Sequence, residues 1–205
     1  MLICKISQIF MQVINRKQEE IMNKREKAIK ETVAYLRSHN IRFEISFENG
    51  NICVVTELKA HDAPNHRVEA SVYFFSECME VRVYYSSLCA EIIRGSDHID
   101  NLLRVLNHIN SRVFLRCGDP YGLYRPHLLY TPRIYMADDD SDDIVIITII
   151  NYDFYEVAPL ETLDYITAFC PEYLDKLTAP IFLTLSGRLT VHEAAALIDR
   201  IFGLN

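Results

Sequence analysis

Three groups of residues carry types and spacings that chemistry uses. Asp138-Asp139-Asp140-Ser141-Asp142-Asp143 sets carboxylates at 138, 140 and 142, the alternation that begins an EF-hand calcium loop. The sixth loop position, which needs Gly for its sharp turn, is Asp143, and the twelfth, which needs a bidentate Glu, is Ile149. A solvated turn fits these residues better, since Asp is a common turn former. His61, Asp62 and His66 share one loop, where a metal would need a further ligand folded onto them. No H-x-x-x-H or H-E-x-x-H pair occurs among the seven histidines. Cys117-Gly118-Asp119 and His127 offer a thiol and a base, the components of a cysteine nucleophile, within a segment rich in Tyr and Pro. Phosphate-binding glycine loops and the G-x-S-x-G elbow are missing. No metal, cofactor or catalytic residue is therefore expected.

The elements that would position such groups belong to an ordinary globular chain. With 205 residues, half of them hydrophobic, it can bury a full core. The formal charge of -7 repels phosphate, so nucleic acid is not an expected partner. There is no apolar run of about 18 residues, so no membrane span is expected. The six cysteines, at 4, 53, 78, 89, 117 and 170, include no C-x-x-C pair and lie mostly in apolar runs. They suit small packed hydrophobes in a reducing, cytoplasmic setting. Met1 to Ile14 is apolar, but Lys5, Gln8 and Gln12 interrupt it and no small-residue cleavage site follows. Residues 1–21 are expected to form a helical extension, with Met22 as an alternative start, and 22–205 a single α+β domain.

Period and punctuation predict the order α-ββββ-α-ββ-α-α: an antiparallel meander with helices packed on one face. A first core helix covers Lys24 to His39, with Asn40 as its stop. Phe43 to Phe47 and Ile52 to Thr56 alternate on either side of Asn49-Gly50, a two-residue hairpin turn. Arg67 to Phe75 and Met79 to Ser86 make two further strands. A helix capped by Ser96 carries the stripe Ile99, Leu102, Leu103, Leu106 and Ile109. Arg133 to Ala137 and Ile144 to Tyr152 form a second hairpin whose later strand, apolar on both faces, is expected inside the sheet. Pro159 opens a helix through Leu160, Leu163, Ile166 and Phe169, prolonged or restarted after Pro171 to Leu177. Thr190-Val191-His192-Glu193 is a capping box for a last helix that stops at Gly203.

Leu106-Asn107-His108-Ile109-Asn110, at the end of the helix that follows the meander, resembles the Leu-Asn-x-x-Asn run of the YbjN family of bacterial proteins. Together with the order of elements, the resemblance covers about residues 24 to 178. It implies a fold like that of type III secretion chaperones and a non-enzymatic, dimeric, protein-binding role with no catalytic residues to transfer. The N-terminal extension, the Tyr/Pro-rich insertion at 117–132 and the last helix depart from the family pattern. Asn107 and Asn110 suit hydrogen bonding at a helix end.

Alternation turns Val72, Phe74, Val81 and Val83 toward the helices and Tyr73, Phe75, Arg82 and Tyr84 away from them. Tyr and Arg are frequent binding hot spots, so these four are the candidate site for a protein partner or a second copy forming a homodimer. Two readings of that face stay open: a docking surface, or a face covered by the 117–132 loop or the terminal helices. The alternative function is small-molecule binding or an enzyme built on the 117–132 loop.

Overall fold

The computed structural model describes residues 2–85, 88–113, 130, 132–137 and 143–204, with the backbone path alone for 2–18, 21 and 88. Helix α1 runs unbroken over Leu2–Ser38. The stretch from Asn15 to Lys27, weakly patterned in hydrophobicity, has neither Gly nor Pro and is rich in Gln, Glu, Lys and Arg, which sustain a helix by propensity alone. Farther along, Ala28, Thr32 and Leu36, four residues apart, are buried. Asn40 takes a left-handed φ of 54°, and Ile41 N–H and Asn40 N–H return to Leu36 O and Arg37 O, so the chain leaves the helix in a Schellman motif.

Strands β1 (Phe43–Glu48) and β2 (Asn51–Lys59) flank Asn49 and Gly50, whose φ angles of 50° and 80° are those of the expected hairpin turn. Strands β3 (Arg67–Phe74) and β4 (Cys78–Tyr85) continue the meander. Strands β5 (Arg133–Met136) and β6 (Ile144–Asn151) complete a six-stranded antiparallel sheet in the order β1-β2-β3-β4-β6-β5. The hairpin of β5 and β6 enters by way of β6, which lies inside the sheet as its two apolar faces led one to expect.

The fold is α+β, and helices line the inner face. Val68, Ala70, Val72 and Phe74 of β3, Met79, Val81, Val83 and Tyr85 of β4, and Ile144, Ile146 and Ile150 of β6 are all buried there. Helices α2 (Leu88–Arg94), α3 (Ile99–Arg112), α4 (Tyr152–Val157), α5 (Pro159–Asp164), α6 (Cys170–Leu185) and α7 (Val191–Ile201) follow in chain order. A widened turn, Tyr165–Phe169, joins α5 to α6 ahead of Pro171, which has no N–H to give the helix. Buried hydroxyls tie the layers: Tyr85 donates to Leu174 O (2.7 Å), and Tyr165 meets Thr148 of β6 (2.6 Å).

Several local expectations need correction. Helices α2 and α4 add to the predicted order; each is at most two turns long, too short for periodicity to stand out. Leu103 is exposed and Val105 takes its place in the buried stripe of α3. Ser96 does not cap α3. Its hydroxyl donates to Leu185 O (2.6 Å) and accepts from His98 N–H (3.1 Å), while His98 holds the cap position without a side-chain bond. Leu160, assigned to an apolar stripe, is exposed. The Thr190 capping box is present as read, with Glu193 returning a carboxylate bond to Thr190 N–H (2.8 Å).

Candidate functional site: the outer face of the sheet

Register places the outer-face residues in rows across the strands. Cys53 of β2 sits opposite Tyr73, which sits opposite Glu80, itself opposite Ile149. In the next row Val55 faces Ser71, Ser71 faces Arg82, Arg82 faces Ile147 and Ile147 faces Arg133. In a third, Glu69 faces Tyr84, which faces Val145, which faces Tyr135.

Three of the four predicted residues form one cluster. The Arg82 guanidinium lies 4.9 Å over the Tyr73 ring, and Phe75, one residue past the end of β3, stacks on the other side chain of that group with Tyr73 and Phe75 centroids 6.3 Å apart. Arg82 Nε donates to Glu80 (2.6 Å), and Tyr73 hydroxyl donates to Glu48 of β1 (2.9 Å). Tyr84 stands in the neighbouring row, its hydroxyl 3.0 Å from that of Ser71. These long side chains lie over the small ones, which is why Cys53 and Ser71 are buried on a face where Tyr73, Arg82 and Tyr84 stay half-buried. Beyond the cluster, Ile149 is 65% exposed and Tyr135 also reaches solvent.

Electrostatics follow from this partial burial. Burial pushes the Tyr84 hydroxyl up to about 12, and it raises Tyr73 too, where the Glu48 carboxylate adds to the effect. Burial opposes the charge on Arg82, but the bond and charge of Glu80 outweigh it, so the guanidinium is held above its ordinary value. Burial raises Glu69 and Cys53. All these directions leave the tyrosines neutral donors and Arg82 a permanent cation, a combination suited to directional contact with peptide groups and carboxylates.

The set is larger than alternation within β3 and β4 revealed. Glu48 arrives from the hairpin two strands away, and Tyr135, Ile147 and Ile149 arrive through the pairing of β6 with β4. The apolar character of β6 on both faces was the available signal: it places the strand inside the sheet, as observed, and Ile149 shows that an interior strand can still turn an apolar residue to solvent on the face opposite the helices.

Set against family models, curated proteins and solved structures, this chain matches none of them.

The other candidates resolve differently. Asp175 of α6 pins the loop of His61 and Asp62: its carboxylate accepts from the N–H groups of His61, Asp62 and Ala63. His61 Nδ1 meets Asp62 (2.6 Å) and His66 Nδ1 meets His61 O (2.7 Å). Among the described residues no group of three His, Cys, Asp or Glu is placed to hold a metal. The acidic turn at 138–142 and the trio Cys117, Asp119 and His127 lie outside the described residues. Among the described residues no helix is long and apolar enough to cross a membrane. Asn110 does not serve a helix end. It exchanges two bonds with the backbone of Ile134 on β5, at 2.7 and 2.9 Å.

Proposed function

We propose that this chain is a non-enzymatic protein-binding module that docks its partner on the outer face of the sheet. The observation that carries the proposal is the cluster of Tyr73, Phe75 and Arg82, with Tyr84 beside it and Ile149 exposed, on the face opposite the helices. A sheet face need not carry such groups for solubility. Large rigid aromatics and a pre-oriented guanidinium lose little conformational freedom on contact and bury much area, which is why they dominate binding energies. Resemblance to the YbjN family implies the same kind of role.

The test is the double variant Tyr73→Ser, Tyr84→Ser, immobilised beside the wild type and exposed to lysate of the native host. The expected result is a protein retained by the wild type and lost by the variant, with the melting temperature nearly kept. Identical retained sets, or loss of the folded state, would assign these tyrosines to internal packing instead.

A further inference from the structure

The two edges of the sheet are finished differently. β5 is only four residues long, and Asn110 closes the outward side of Ile134 by donating to its C=O and accepting from its N–H. β1 runs six residues without Pro or Lys, and among the described residues no group bonds to its outward backbone.

Which backbone groups point outward follows from the turn. Asn49-Gly50 is a two-residue turn with positive φ at both positions, so the closing pair Glu48 and Asn51 exchanges both hydrogen bonds. Alternation then aims Glu44 and Ser46 at β2 and leaves the N–H and C=O of Phe43, Ile45 and Phe47 on the free side. The same three side chains share the inner face, where Ile45 is 49% and Phe47 is 77% exposed. An edge with free amides and uncovered apolar groups is a template for another strand.

We propose that β1 pairs with β1 of a second copy, antiparallel, about a two-fold axis through Ile45. The segment Arg42-Phe43-Glu44-Ile45-Ser46-Phe47-Glu48 is self-complementary in that register. Ile45 meets Ile45, Phe43 meets Phe47, Glu44 meets Ser46, and Arg42 meets Glu48, the last three twice each. The outward amides form about six bonds. Moving the axis to Ser46 sets Glu44 against Glu48, and moving it to Glu44 sets Glu44 against itself; like charges opposite each other disfavour both shifts. Charge therefore selects the occupant and the register together. This proposal rests on the edge alone and not on the outer-face reading.

Sedimentation of the full chain over a concentration series tests it. The wild type is expected to show a reversible monomer–dimer equilibrium. Arg42→Glu turns two attractive cross-strand pairs into repulsive ones and raises the dissociation constant about tenfold. Adding Glu48→Arg to it restores opposite charges in the same register and brings the constant back toward the wild-type value. Ile45→Lys puts two ammonium groups on the axis and abolishes the dimer. Should that variant lose its melting transition, the Arg42/Glu48 pair decides alone, because both side chains are exposed. Tyr84→Ser is expected to leave the dimer unchanged. A wild type monomeric throughout, or a charge reversal that the second substitution does not rescue, overturns the proposal. So does a dimer lost in Tyr84→Ser but kept in Arg42→Glu, which would move self-association to the outer face.

Discussion

Replacing Asp175 with alanine removes a carboxylate that accepts backbone bonds from His61 (2.9 Å), Asp62 (2.7 Å) and Ala63 (2.8 Å). The three donors differ in what they lose. His61 and Asp62 are exposed, so water replaces most of the bond at those two positions, whereas Ala63 is buried at 3% exposure and its N–H would be left without a partner. A hydrogen bond to a charged acceptor contributes about 1.5–3 kcal/mol where water is excluded, and well under that at the two exposed donors. The sum is about 2–4 kcal/mol for Asp175→Ala. At about 2–4 °C per kcal/mol for a chain of this size, the melting temperature falls by about 5–15 °C. Asp175→Asn keeps one acceptor oxygen without the charge and loses about half as much. Thermal unfolding by circular dichroism gives the global number, and amide exchange over residues 60–66 reports whether the loop opens first. An alanine variant that melts within about 1 °C of the wild type, with exchange in the loop unchanged, would refute the claim that α6 holds this connection.

Gly187 and Gly203 both have left-handed φ angles, 69° and 61°, but a Cβ at 203 meets open space while one at 187 would overlap the ring Nε2 of His98. Gly203→Ala is expected to lose about 1–2 kcal/mol from the backbone alone, and Gly187→Ala the same plus the cost of turning the half-buried His98 ring aside; chemical denaturation of the two variants measures the difference. Glu193 is held below its ordinary value of 4.5 by the backbone N–H and then the hydroxyl of Thr190. A lowered folded-state value means that this contribution is fully present above the unfolded value and is lost as pH falls through the folded one. The gap in melting temperature between wild type and Glu193→Gln should be constant above pH 4.5 and shrink below it; a gap that does not change with pH counts against the capping-box carboxylate.

Elements whose determinants are local were legible before any coordinates. Asn49-Gly50 specified its hairpin because few residue pairs accept positive φ twice, and Thr190 with Glu193 carried both halves of its cap within four residues. Alternation also sorted Tyr73, Arg82 and Tyr84 from Val72, Val81 and Val83 correctly, since strand side chains have only two directions to choose between. What stayed hidden was non-local. Nothing near Tyr73 announces that Glu48 accepts its hydroxyl, and nothing in β6 says that its neighbour is β4, so Ile147 and Ile149 could not be assigned to the same surface. Helices α2 and α4 were missed for a different reason: a helix of two turns is stabilised by tertiary burial, as Cys89 and Ile93 or Tyr152 and Tyr155 show, and leaves little periodic trace.

Glu48 connects the edge of the sheet with its face. Its Oε2 already accepts the Tyr73 hydroxyl, and its Oε1 lies 3.3 Å from the Ser46 hydroxyl, so the carboxylate is oriented before any second copy arrives. Ionised carboxylates accept about four bonds, which leaves capacity for a guanidinium from the opposite strand. Residues directly opposite in an antiparallel ladder share a face, so pairing through β1 would set both outer faces on the same side of one continuous sheet. The two Tyr73 clusters would then stand five strand spacings apart, roughly 24 Å at about 4.8 Å each. A protein partner long enough to span that distance would meet both clusters at once, and the second contact would form at the high effective concentration set by the first. Weak docking at each face and weak pairing at the edge would in that arrangement strengthen one another, because a partner held on both faces also holds the two copies together, and the coupling is reciprocal.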